Sequence, residues 1–269
     1  MELLARLKSD IRLGQIYSIL VIAAFINAVT FVVIEEVQKT DALTALMSGG
    51  TLNPIILFSF AWAAWSLWEA EIEPLANSRL ENLFIVAMIA LIYIPMYWFS
   101  WVALTLVGLR VALSSFQLGI LAAYLAVPLF WGKLIITFIG LKLLWLDALI
   151  VSLAAGYSVK GNMIVPNDQN DPIVVLWSCS SLHGLNYLVL AWLTFSMVNK
   201  TKARDNWHIL AIGLLGMFLI NWIRLFMMAR YSHYYDYLHT GTGSQIIAMI
   251  TLVWIVGISM FGSQRKVAA

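Results

Sequence analysis

Residues 13–34 read LGQIYSILVIAAFINAVTFVVI, an uncharged and mostly apolar run that is long enough to cross a lipid bilayer as a helix. Three basic residues, Arg6, Lys8 and Arg12, precede it. The apolar part of a cleavable signal peptide is shorter, about 7–15 residues, and ends in small residues at a cleavage site. The pattern therefore predicts a signal anchor that remains as the first transmembrane helix.

Similar runs recur along the whole chain of 269 residues, of which 62% are hydrophobic and only 11% are charged. A soluble domain contains about 25% charged residues, so this composition predicts contact with lipid. We expect an all-α polytopic membrane protein with about eight transmembrane helices, centred on residues 15–34, 52–69, 83–105, 113–131, 134–156, 179–199, 207–229 and 243–261. Pro95 predicts a kink in the third run or its division into two helices. Lys142 and Asp147 suggest that the fifth helix faces the bundle interior.

The distribution of Lys and Arg predicts the orientation of the bundle. With the N-terminus inside, eight spans place the basic clusters at 200–204 and 265–266 in the cytoplasm, together with the C-terminus. Lys39, Arg110, Lys160 and Arg230 then fall outside. We therefore expect a multi-pass protein of the cytoplasmic (inner) membrane. A net charge of +2 and the lack of an arginine-rich patch argue against a nucleic-acid partner.

Residues 157–176 do not resemble a membrane helix, because two short β-branched runs flank the polar stretch NDQNDP at 167–172. This pattern predicts a short β-hairpin outside the membrane, just before the sixth helix. The hairpin leads into Cys179, the only cysteine of the chain. One cysteine excludes an internal disulfide and a cysteine-cluster metal site, and we expect neither a metal nor a cofactor.

Cys179 is expected to begin the sixth helix, where the helix dipole stabilises a thiolate. A lone cysteine is more often a buried structural residue, but its neighbour Ser180 and the boundary position favour a reactive one. Arg224, in the sequence Asn221-Trp-Ile-Arg224, lies near the outer end of the seventh helix by its distance from Trp207. An intramembrane arginine is a functional candidate, and the alternative is a snorkelling side chain such as Arg230.

His239 precedes the last helix and is expected at its N-terminus, at the same membrane face as Cys179 and Arg224. A histidine there suits a general base. His233 lies in the same loop, and His183 follows Cys179 by one helical turn, so both remain alternatives. Thiol, imidazole and guanidinium together form a site suited to acyl transfer, in which the guanidinium stabilises the oxyanion.

At these residues the chain resembles the exosortase/archaeosortase family of membrane-embedded cysteine transpeptidases. The resemblance extends from Leu125 to Ile247 and rests on the stretch from Gly156 to Gly161, on Cys179-Ser180, on Asn221-x-x-Arg224 and on His239. Family members have a short extracytoplasmic hairpin before a Cys-Ser-Gly motif, an Asn-x-x-Arg motif, and a histidine before the last helix. This chain departs from them at Ser181, where the family has glycine, and at His183.

The resemblance implies that Cys179 is the nucleophile, Arg224 the oxyanion stabiliser and His239 the acid/base, with Asn221, His183 and Ser180 as supporting residues. It also implies one bundle over 1–269, with variable N-terminal helices at 1–131 and a catalytic core at 132–261. The implied substrates are secreted proteins with a C-terminal sorting tail, formed by a short motif, a transmembrane helix and a basic end. The enzyme cleaves this tail on the outer membrane face and transfers or releases the protein.

Three other functions fit parts of the pattern. A polytopic transporter would use Arg224, Lys142 and Asp147 to line a solute path, and Cys179 would then be incidental. A membrane scaffold without activity would tolerate changes at all three site positions. A protease would use the same residues but only hydrolyse its substrate, so that the product gains one water.

Overall fold

The computed structural model describes residues 12–39, 53–167, 171–176, 179–181 and 184–264. Most of these residues are helical, and one small antiparallel sheet follows the first half of the chain. The described residues form two compact units, one that ends at Phe130 and one that begins at Trp131. The prediction of a mostly helical protein with a small β-structure is confirmed.

The first unit contains five helices, α1 (Leu13–Lys39), α2 (Pro54–Glu69), α3 (Ser78–Tyr93), α4 (Tyr97–Ala112) and α5 (Phe116–Tyr124). Asparagines begin two of them, because the side chain of Asn53 accepts a hydrogen bond from the Ile55 N–H and that of Asn77 accepts one from the Arg79 N–H. Such caps satisfy backbone donors that a helix start leaves unpaired.

Of the two outcomes predicted for the run at 83–105, a kink or a division at Pro95, the structure shows the division, with α3 ending at Tyr93 and α4 beginning at Tyr97. Pro95 explains the break, since a proline disfavours helical geometry at the residue before it and donates no backbone hydrogen bond. The buried Arg110 near the end of α4 forms an ion pair of 2.6 Å with Glu81 near the start of α3. Arg110 and Glu81 therefore lie at the same end of this helix pair.

The runs at 113–131 and 134–156 were expected as two spans, but they form one candidate span, Phe116–Ala155, in which Leu125 is the single turn residue. A π-helical stretch, Val127–Trp131, lies between α5 and α6 (Gly132–Ala155) and contains Pro128. A proline removes one helical hydrogen bond, and a local π-helix accommodates the change without ending the helix.

The second unit begins with α6, which ends at Gly156 in the left-handed region (φ 71°). A sheet of three antiparallel strands follows, β1 (Ser158–Lys160), β2 (Met163–Val165) and β3 (Ile173–Val174), in the order β1-β2-β3. Gly161 (φ 59°) supplies the positive φ needed in the two-residue turn between β1 and β2. The predicted hairpin corresponds to β2 and β3, and β1 is an additional strand.

Four further helices complete the second unit, α7 (Leu185–Val198), α8 (Trp207–Arg230), the single turn α9 (Tyr235–His239) and α10 (Thr242–Gly262). Helices α8 and α10 pack closely at Gly216, where an added Cβ would lie 2.2 Å from the indole ring of Trp254. The indole N–H of Trp254 donates to the Gly213 carbonyl at 3.0 Å. Glycine is required there because a large aromatic ring occupies the space of a side chain.

Four helical segments among the described residues are long and apolar enough to cross a membrane, Leu13–Ile34, Phe116–Ala155, Ala203–Arg230 and Thr242–Gly262. Tyr97–Ala112 and Leu185–Val198 are apolar but shorter. Large side chains such as Phe138 (85% exposed) and Val253 (64% exposed) lie on the surface, as expected for contact with lipid. These features support a membrane protein.

The expectation that Lys142 and Asp147 both face the interior is half wrong, since Asp147 is buried and Lys142 is exposed. Five residues of α-helix correspond to a rotation of about 140° beyond a full turn. The two side chains therefore lie on different faces of α6. The inner face also contains Leu144, Ala148 and Val151, which belong to the hydrophobic core of the unit.

Candidate active site

Cys179 lies in a short turn between the sheet and α7, six residues before that helix begins. The expectation that Cys179 begins a helix is therefore wrong. Its backbone N–H donates to the Leu176 carbonyl at 2.9 Å, which closes the turn.

The turn brings Cys179 to His239, sixty residues later in the chain. The Cys179 Sγ lies 3.5 Å from the His239 Nδ1, within hydrogen-bonding distance for sulfur. Cys179 is only 3% exposed. His239 is the last residue of α9 and precedes α10, which begins at Thr242, so its predicted place before the last helix is confirmed. The predicted proximity of the two side chains is also present.

Arg224 contacts the backbone that supports the histidine. Its Nε donates to the Leu238 carbonyl at 2.9 Å, and its Nη2 donates to the His239 carbonyl at 3.3 Å. A guanidinium presents its donors in a rigid fork, so one side chain holds two consecutive carbonyl groups. Arg224 therefore fixes the end of α9, from which the His239 ring projects.

Asn221, one turn before Arg224 on α8, contacts residues 179–181, which are called the Cys179 turn. Its Nδ2 donates to the Cys179 carbonyl at 2.8 Å and to the Ser181 Oγ at 3.1 Å. Residues three apart share a face of a helix, so Asn221 and Arg224 act on neighbouring segments. A single turn of α8 thus holds both the cysteine and the histidine segments.

A buried carboxylate lies on the other side of the turn. Asp147 Oδ2 accepts hydrogen bonds from the Ser180 Oγ at 2.7 Å and from the Ser181 N–H at 3.0 Å. Asp147 Oδ1 accepts one from the indole N–H of Trp222 at 2.9 Å. The ring of Trp222 stacks on Phe218, with centroids 5.3 Å apart. These contacts connect α6, the Cys179 turn and α8.

Apolar residues enclose the site, and Tyr235 packs against both the core around Cys179 and the His239 ring. The ring centroids of Tyr235 and His239 are 5.1 Å apart. Burial raises the pKa of Tyr235, and negative charge at Cys179 and at Asp236 raises it further. The phenol is therefore a neutral neighbour of the histidine over the physiological pH range.

The other candidate residues from the sequence either lie on the surface or lie outside the described residues. His233 is exposed and stacks on Tyr234, with centroids 4.0 Å apart, so it lies on the surface. Arg230 is exposed at the end of α8, as expected for a snorkelling side chain. His183 lies outside the described residues. Among those described, His239 is the histidine that the structure brings to Cys179.

Asp147, Trp222 and Tyr235 were not predicted as site residues. A buried carboxylate in a membrane helix was visible in the sequence, but nothing local indicated its partners 33 to 75 residues away. Trp222 lies within the Asn221–Arg224 motif, but nothing in its sequence position distinguished it from the other interfacial tryptophans. Tyr235 lies among several tyrosines in 231–239, and nothing in the sequence distinguished it from the others.

Comparison of the chain with models of protein families, with curated proteins and with solved structures finds no match.

Proposed function

We propose that the protein is a membrane-embedded cysteine transpeptidase of the exosortase/archaeosortase type. The contact of 3.5 Å between the Cys179 thiol and the His239 imidazole is the observation that carries the proposal. A nucleophile beside a base, with the base held by a third group, is the usual arrangement for covalent acyl transfer. Here Arg224 holds the base through two backbone carbonyl groups.

The reaction begins when the imidazole of His239 accepts the Cys179 proton and the thiolate attacks a substrate peptide carbonyl. The tetrahedral intermediate collapses, the C–N bond breaks, and the imidazolium gives its proton to the departing amine. The product is a thioester on Cys179 and a released C-terminal tail. An amine or hydroxyl acceptor, or water, then attacks the thioester and returns the thiol.

Arg224 has two roles in this scheme. Its Nε and Nη2 position His239 through two carbonyl groups, and the resemblance assigns its positive charge to the stabilisation of the oxyanion. A fixed cation in a site with little water stabilises such a charge far more than it would in bulk solvent. The resemblance supplies the second role, and the contacts support the first.

The proposed substrates are secreted proteins with a C-terminal sorting tail, cleaved on the outer membrane face. Their tail helix would lie in lipid beside the bundle, and the motif would reach Cys179 from outside. We keep eight spans with both termini in the cytoplasm as the topology. The run at 83–105 divides into two helices, and the runs at 113–131 and 134–156 join into one. The number of helical segments before residue 157 therefore stays odd. This supports the predicted topology, in which residues 157–176 lie outside when the N-terminus lies inside.

The proposal is tested by co-expression with a secreted reporter that ends in a motif, a transmembrane helix and a basic segment. We expect loss of the tail with the wild-type chain and full-length reporter with the Cys179→Ala variant. His233→Ala is the matched control for His239→Ala, because His233 is exposed and away from the site. Processing that persists in the Cys179→Ala variant refutes the proposal.

The mass of the processed reporter distinguishes the two possible outcomes of the thioester. Hydrolysis leaves a free carboxylate, whereas transfer adds the mass of the acceptor minus one water. The transporter alternative is less well supported, because the Arg224 guanidinium donates to two backbone carbonyls and Lys142 is exposed. A transporter would retain its activity in the Cys179→Ala variant.

A further inference from the structure

We propose that Asp147 is a positioning residue for the nucleophile, acting as an ionised carboxylate that holds the Cys179 turn in register with His239. This inference rests on the proposed function of the site. Asp147 lies on α6, far from Cys179 in sequence, and is 4% exposed. Ionisable residues inside membrane helices are costly and tend to serve a function.

The partners of Asp147 indicate its charge state. A backbone N–H and an indole N–H can only donate, and they contact different oxygens of this carboxyl group. Both oxygens therefore act as acceptors, as in a carboxylate. The Ser180 hydroxyl adds a third hydrogen bond, at 2.7 Å.

The charge is stabilised by neutral donors. In the part of the chain that the structure describes, the ion pairs are Arg110 with Glu81 and Arg204 with Asp205, and neither involves Asp147. A buried carboxylate without a cation depends on hydrogen bonds to offset the loss of water. The three donors of Asp147 are thus required for its burial, and in turn it holds them in place.

The turn is held from two sides. Asn221 on α8 contacts the Cys179 carbonyl and the Ser181 Oγ, whereas Asp147 on α6 contacts the Ser181 N–H and the Ser180 Oγ. These contacts from α6 and α8 set the position of residues 179–181. Removal of Asp147 frees one side, and Cys179 then loses its fixed distance to His239.

The test measures the coupling between Cys179 and His239 without any substrate. Because the chain has one cysteine, iodoacetamide adds a single mass to the purified full chain in detergent. We expect His239→Gln to slow this alkylation about tenfold or more, as loss of a general base does. In the Asp147→Ala background the same change should alter the rate by less than about twofold, because the imidazole no longer contacts the thiol.

The outcomes separate the two proposals. An equal effect of His239→Gln in both backgrounds overturns the role of Asp147 alone. Lack of an effect in the wild-type background removes the reactive pair, and with it both the proposed function and this inference. Asp236→Asn is the matched control, an exposed acid in the same unit, and should keep the full effect of His239→Gln.

A second pair of variants tests the inference if Asp147→Ala does not fold. In Asp147→Asn the amide oxygen still accepts hydrogen bonds from Ser180 and Ser181. The amide nitrogen replaces the oxygen that accepted from Trp222, so two N–H donors face each other. Trp222→Phe removes that opposing donor and keeps the stacking on Phe218. We expect the Asp147→Asn/Trp222→Phe double variant to recover the effect of His239→Gln that Asp147→Asn loses. A double variant no better than Asp147→Asn contradicts the proposed geometry.

Discussion

Replacement of Arg224 by lysine separates the positioning role of this residue from its charge. Arg224 donates two hydrogen bonds to consecutive carbonyls, at 2.9 and 3.3 Å. Lysine keeps the charge, but its single ammonium group cannot reproduce the fork. Hydrogen bonds from charged groups contribute about 1.5–3 kcal/mol each. The loss of one should therefore reduce by that amount the free energy that holds His239 in its position beside Cys179.

This loss corresponds to a decrease in tail processing of roughly ten- to a hundredfold, since about 1.4 kcal/mol equals a factor of ten. The measurement is the initial rate of reporter cleavage in membranes that contain equal amounts of each variant. Arg230→Lys is the matched control, because Arg230 is exposed on the same helix, and it should stay within about twofold of the wild type. Arg224→Gln should lose more than Arg224→Lys, because it also removes the charge. Wild-type activity in Arg224→Lys would refute the positioning role and leave charge alone as the function of Arg224.

Three further predictions concern the fold and the surroundings of the site. Arg110→Met leaves the buried Glu81 carboxylate without its ion pair and should lower the free energy of unfolding by about 3–5 kcal/mol, measured by thermal unfolding in detergent. Arg204→Met, which removes an exposed ion pair, should change it by less than about 1 kcal/mol, and equal shifts would contradict the structure. Gly216→Ala meets the Trp254 ring and should destabilise the protein, whereas Gly257→Ala enters open space and should be neutral or stabilising by about 1 kcal/mol; destabilisation by Gly257→Ala alone would show that α10 packs differently. Tyr235 has a raised pKa, so above about pH 10 the unfolded chain binds fewer protons than the folded one and stability falls as pH rises. Denaturant unfolding at pH 7 to 11 should show a shallower fall above pH 10 for Tyr235→Phe, and identical slopes would contradict the burial of the phenol.

The helices and the sheet were largely predictable, and their ends were not. Long uncharged runs predict membrane helices because lipid contact requires them, but such runs do not show where the chain turns back. Pro95 allowed either a kink or a division of its run, and the Arg110–Glu81 ion pair requires the division. Pro128 gave the same local signal, yet a π-helical stretch accommodates it. Local sequence was equivalent at the two prolines, and long-range packing made the difference.

The candidate site shows the same limit. Residue type and membrane side suggested that Cys179, Arg224 and His239 lie together, and the contacts bring them together. The sequence could not show that Arg224 donates hydrogen bonds to backbone carbonyls. That contact depends on the relative positions of α8 and the end of α9, 14 residues later. Asp147 is the clearest omission. Its partners come from the Cys179 turn and α8, which are distant in sequence. Only the folded unit therefore shows what this residue of α6 contacts.

The central claim is that Cys179 forms an acyl thioester, and the mass of the enzyme tests it most directly. Acid quenching of the wild-type chain during reporter processing should trap an adduct on Cys179 with the mass of the hydrolysed reporter, less one water. Hydroxylamine should remove the adduct and restore the mass of the free chain, because a thioester is cleaved by this amine. A reporter that loses its tail while the mass of Cys179 never changes, or while the Cys179→Ala chain processes it equally fast, would contradict the account.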